Sequence, residues 1–108
     1  MEKTELLIHL RTLNEAGTIS SNGGCTFYAK QLDPTREDGY TISEAWCNDK
    51  DNYSRKIGRA IAIGRCDQLP ESACYTKEEI LDDLLADAKI VEDGRPKEFF
   101  ENLVSKLA

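Results

Sequence analysis

Residues 52–65, NYSRKIGRAIAIGR, place four cations (Arg55, Lys56, Arg59 and Arg65) within eleven positions of a chain whose formal net charge is −6. Guanidinium forks grip phosphate oxygens, and an aromatic ring beside them stacks a nucleobase. The rings at hand are Trp46, Tyr53 and Tyr28, so Arg55, Lys56, Arg59, Tyr53, Trp46 and Tyr28 form the candidate ligand-binding set. Helical period puts Arg55 and Arg59 one turn apart and sets Arg55 and Lys56 in a first turn. Free N–H groups and the helix dipole there favour anions and disfavour basic side chains. Two sources of negative charge answer that imbalance. One is an anionic ligand such as a phosphate, which gains from the N–H groups and the cations together. The other is internal: Asp49, Asp51 and the acidic C-terminal helix. Trp46 and Phe27 also suit a core.

Other chemistry is thin. His9, the single histidine, has no Ser or Cys motif beside it, and the chain contains no nucleophile elbow, P-loop or G-x-G-x-x-G. Cys25, Cys47, Cys66 and Cys74 form no C-x-x-C pair, so they read as reduced, buried thiols and not as a zinc set. Asp82, Asp83 and Asp87 have the charge to attract a divalent ion, but on an amphipathic helix they read as a solvated face. The expectation is a non-enzyme with no cofactor and no metal.

These residues need elements to position them. A chain of 108 residues fits one domain, 1–108, and 40% hydrophobic with 31% charged residues is ordinary for a soluble globule. The first half alternates with period two. Leu6, Ile8 and Leu10 share one strand face; Cys25, Phe27 and Ala29 oppose Thr26, Tyr28 and Lys30 on a second strand; Tyr40, Ile42 and Trp46 share a face on a third. NEAGTISSNGG and DPTREDG between them are turn-rich, which predicts an antiparallel meander. The second half is helical. A central helix capped by Asp51 is expected to lay Tyr53, Ile57, Ala60, Ile61 and Gly64 on the strands. On its flank, Gly58 and Ala62 permit close approach of a backbone, either the sheet or a second subunit, and are the candidate interface. Thr76 and Glu79 form a capping box for a second helix carrying Ile80, Leu81, Leu84, Leu85 and Ala88. Pro96 stands near the first turn of a third, with Phe99, Phe100, Leu103, Val104 and Leu107 on one side. Strands followed by helices predict an α+β fold: a meander of about three strands, a basic central helix packed on it, and two C-terminal amphipathic helices.

Charge and hydropathy narrow the partners. Residues 1–70 hold 9 Lys and Arg against 10 Asp and Glu, and residues 71–108 hold 5 against 10, so the acidity is C-terminal. That balance opposes nucleic acid while leaving a local basic patch for a small anion. No apolar run approaches the roughly 20 residues of a membrane span, and the opening MEKTELLIHL lacks a signal-peptide pattern, so the cytoplasm is the expected compartment.

The segment Cys47–Arg65 resembles a stretch of the phage anti-Thoeris sponge family. Cys47, Asp51, Asn52, Tyr53, Ser54, Arg55, Lys56, Gly58, Arg59, Ile61, Ala62, Gly64 and Arg65 carry the match, about a fifth of the chain. The resemblance implies a phage protein of the infected host cell. It would sequester a cyclic ADP-ribose isomer, or a cyclic oligonucleotide, without catalysis, and assemble as a homo-oligomer around an N-terminal antiparallel sheet. A different expectation rests on Glu78, Asp82, Asp83, Glu92 and Asp93: an acidic surface that mimics a phosphate track and blocks a nucleic-acid-handling immune complex of the host.

Overall fold

The computed structural model describes residues 4–68 and 75–107. Strands β1 (Glu5–Leu10), β2 (Asn22–Gln31) and β3 (Tyr40–Asn52) form one antiparallel sheet in that order. Helices α1 (Arg55–Gln68), α2 (Lys77–Val91) and α3 (Lys97–Ser105) follow, which is the α+β arrangement that the change of period predicts. No helix among the described residues is long and apolar enough to cross a membrane.

Paired residues on neighbouring strands point to the same side of a sheet. Leu6 pairs Ala29, Ile8 pairs Phe27 and Leu10 pairs Cys25, so the alternating apolar sets meet on one face. There they pack with Ile80, Leu84, Ala88 and Val91 of α2 and with Phe100 and Val104 of α3. The opposite face carries a smaller core in which Tyr28 and Ala45 meet Ala62 and Cys66 of α1. The sheet thus separates α1 from the two C-terminal helices. Covered on both sides, β2 buries Thr26 and Tyr28 as completely as Phe27.

The helix starts follow local chemistry. Thr76 Oγ1 accepts from Glu79 N–H while Glu79 Oε1 accepts from Thr76 N–H, each at 3.2 Å, the reciprocal cap expected for α2. At α1 the expected cap is corrected. Asp51 lies in β3, because pairing with β2 continues to Asn22–Asn52 and Tyr53 N–H still bonds Ser21 O. Ser54 Oγ instead accepts from Ile57 N–H at 3.2 Å.

The buried face of α1 is also corrected. Gly58, Ala62 and Cys66 meet the sheet, whereas Ile57 and Ile61 are 61% and 40% exposed. A Cβ on Gly58 would collide with Thr26 Oγ1, so the missing side chain is what lets the helix axis come down onto β2. Close approach to the sheet accounts for both small residues, and a subunit interface through Gly58 and Ala62 has no surface to use: Ala62 is fully buried.

Candidate functional site

α1 lies over β2 and β3, and α2 packs across β1 and β2 on the other side. This offset leaves the outward residues of β1 uncovered beside α1. The result is an open groove of about 670 Å³ lined by Leu7 and His9 from β1 and by Arg55, Lys56, Arg59, Ala60, Ile63 and Gly64 from α1. Leu7, Ala60 and Ile63 form its apolar floor and wall; the three cations stand on its rim, all exposed.

Among the described residues no carboxylate forms a salt bridge with them. Among the described residues the salt bridges are Arg36–Asp38 and Arg95–Asp93, neither of which touches the groove. The acidic helices α2 and α3 lie across the sheet, and neither Asp49 nor Asp51, at the end of β3 that leads into α1, is in a salt bridge among the described residues. The first turn of α1 contains no acidic residue. Among the described residues, then, no internal carboxylate, one of the two answers open at the level of sequence, pairs with Arg55, Lys56 or Arg59. The groove keeps a net positive field at a helix N-terminus, the condition under which phosphate or carboxylate groups bind.

His9 is held at the back of the groove by a buried polar triangle. Its Nδ1 lies 2.6 Å from Tyr53 OH and 3.1 Å from Thr26 Oγ1, and the two hydroxyls are 2.5 Å apart. Nδ1 is thus occupied by the two hydroxyls, which leaves Nε2 as the ring nitrogen without a hydrogen-bond partner among the described residues. Burial first, and then the charges of Arg55, Arg11 and Arg59, push the His9 pKa below its ordinary value, so the free protein holds the ring neutral. Tyr53 is pushed the other way by its own burial. Its ring fits against Gly24, where φ is +113° and a Cβ would come within 2.9 Å of the ring. Arg11 stacks on the same ring, its Cζ 4.3 Å from the centroid. The backbone of His9 is fixed as well, its carbonyl accepting from Arg95 Nη2 at 2.9 Å.

The candidate set thus divides. Arg55, Lys56 and Arg59 converge on one groove. Tyr53 supports it from beneath, through its hydroxyl, and one face of its ring is taken by Arg11. Tyr28 is buried and donates to Glu5 Oε2 at 2.6 Å, so it is a core residue with a polar tip. Trp46 is half exposed, but it pairs with Cys25 and so belongs to the α2 face of the sheet. It borders a different hollow, with Gly23, Gly24, Ile90 and Glu92. Following Trp46 into the helix along the chain suggests contact with the cations. The residue stands instead on the edge strand, where it also borders hollows with Ile57, Gly58 and Ile61 and with Arg65 and Cys66, and it does not line the groove. Leu7 and His9 were missed as lining residues. Their signal was visible as the outward positions of β1, yet nothing local indicates that α1 ends beside them.

Comparison with protein-family models, with curated proteins and with solved structures finds no match.

Proposed function

We propose that this protein binds and sequesters a phosphate-bearing small molecule, without catalysis, in the groove between β1 and α1. The observation that carries the reading is the trio Arg55, Lys56 and Arg59, which has no carboxylate partner among the described residues and surrounds a ligand-sized groove. Their guanidinium and ammonium groups take the phosphate oxygens, His9 Nε2–H adds a neutral donor, and Leu7, Ala60 and Ile63 take an apolar or base moiety. The resemblance of Cys47–Arg65 to anti-Thoeris sponges directs the proposal to a cyclic ADP-ribose isomer first and to cyclic oligonucleotides second. It also supplies the phage origin and the homo-oligomer, in which a second copy would close the open side of the groove.

A thermal-shift panel of cyclic ADP-ribose isomers, cyclic di- and trinucleotides, NAD and ADP-ribose tests this directly. A ligand at about 100 times its Kd stabilises the native state by about 2.7 kcal/mol, a rise of several degrees in Tm. The expected result is a rise with one cyclic species, recovered chemically unchanged. Arg55→Glu with Arg59→Glu should weaken binding about a hundredfold or more, since each charge-assisted hydrogen bond contributes about 1.5–3 kcal/mol. Trp46→Ala should leave it intact. A folded double variant that binds as well as the parent would remove this groove as the site. A flat panel favours the second reading, for which Glu78, Asp82 and Glu92 are exposed, whereas Asp83 is half-buried and the Asp93 carboxylate is buried against Arg95.

A further inference from the structure

Across the sheet from the groove, β2, β3 and α2 bring Cys25, Glu44 and Asp87 together. The Cys25 sulfur and one carboxylate oxygen from each acid all lie within 4.8 Å of one another. Asp83, one turn before Asp87 on α2, adds a further negative group to the same neighbourhood. The peculiarity of the cluster is Asp87. Asp87 is only 7% exposed, yet its Oδ2 has no hydrogen-bond donor. Its other polar contact is the Glu44 carboxyl, an acceptor when ionised. Neither salt bridge among the described residues involves any of these acids. A buried carboxylate requires a donor, a proton or a cation. Burial and the adjoining Glu44 carboxyl raise the Asp87 pKa, so a proton meets part of that need until a cation displaces it, and Oδ2 is still left without a partner.

We propose that Cys25, Glu44 and Asp87 are a binding site for a thiophilic divalent cation of the zinc class. One thiolate and two carboxylate oxygens from three separate elements suit a borderline-soft ion that takes sulfur and oxygen together, and a hard ion such as magnesium would not recruit the sulfur. Ligand spacings contract modestly to reach metal distances of about 2.3 Å for sulfur and 2.0–2.2 Å for oxygen. Water or Asp83 completes four-coordination. Binding displaces the thiol proton, and any proton shared by the two carboxyls, to solvent. The metal then joins the central strand, the edge strand and α2 at one point, and the missing partner of Asp87 Oδ2 is supplied. The site is independent of the groove on the other face.

The test uses the full chain, refolded from denaturant in chelator and then titrated with Co²⁺ and Zn²⁺. Expected are a near-ultraviolet thiolate-to-cobalt charge-transfer band that Zn²⁺ abolishes, and a Tm rise of several degrees at excess Zn²⁺. Cys25→Ser should erase the band, and Glu44→Gln and Asp87→Asn should each weaken Zn²⁺ binding at least tenfold. Should Cys25→Ser fail to fold, Glu44→Gln, at a half-buried position, carries the test. The proposal is overturned by the absence of the band, by its persistence in Cys25→Ser, by Zn²⁺ affinity unchanged in Glu44→Gln, or by a wild-type Tm indifferent to metal. An indifferent Tm would identify a shared proton as what holds the two carboxyls together.

Discussion

At the scale of single residues, His9 shows how a solvent-facing strand position becomes a poised donor. Three partners define it: Tyr53 and Thr26 hold Nδ1, Arg95 holds the backbone carbonyl, and the surrounding arginines disfavour a second ring proton. The sign of its pH dependence follows. An unfolded histidine takes a proton near pH 6.5, whereas this ring resists until lower pH, so its contribution to stability is intact above about 6.5 and is lost as pH falls through the folded value. A phosphate in the groove reverses the preference, because an adjacent anion favours the charged ring. Affinity for a pyrophosphate diester, which does not titrate in this range, should therefore rise between about pH 7.5 and 5.5 in the parent. The profile should be flat in His9→Gln. Calorimetry at the two pH values checks both; a parent profile without slope would place His9 outside the site.

At the scale of elements, α1 is defined by what its glycines permit. Gly58 meets Thr26 so closely that a methyl group there must push the helix away, while a Cβ at Gly64 meets nothing. Overpacking of this kind costs about 1–3 kcal/mol, of which helix propensity returns about 1 kcal/mol. Gly58→Ala should therefore lower stability by up to about 2 kcal/mol, read as a lower urea midpoint with an unchanged slope. Gly64→Ala, on the same helix, should raise it by about 0.5–1 kcal/mol, because only the backbone-entropy term remains. Equal effects of the two substitutions would contradict the helix–sheet contact described here. The same contact explains why Ile57 and Ile61 stay exposed: with the small-residue face turned inward, the larger side chains are left on the outer flank.

At the scale of the whole molecule, the sheet acts as a partition. The basic groove lies on the α1 side, and the acidic residues of α2 and α3 lie on the other. The field is therefore dipolar on a chain of net charge −6. A small anion senses mainly the three nearby cations, whereas a long duplex also meets the acidic side. Three phosphate contacts give a salt slope of only about −2.7, too few to hold a duplex against that charge, so no retarded DNA band is expected even at about 50 mM salt. A band at that salt would move the assignment from a small ligand to nucleic acid.

Period and local chemistry were enough to determine the order and type of the elements from sequence, but not where β3 gives way to α1. Alternation at Leu6, Ile8 and Leu10, the Thr76–Glu79 box and the turn-rich connections each act over a few residues, and all reappear in the fold. The cluster Arg55, Lys56 and Arg59 was legible for the same reason, since one helix turn brings its members together. Tertiary structure alone decided which side of the sheet each helix covers. Tyr53, Ile57 and Ile61 form the more hydrophobic stripe, but packing selected Gly58 and Ala62, because close backbone approach over β2 depends on steric fit and not on hydrophobicity. Strand register then assigned Trp46 to a place outside the groove, His9 to the groove and Asp87 to burial beside Cys25. Those pairings span 17 to 62 positions of chain, and no local pattern encodes which distant residue a side chain will meet.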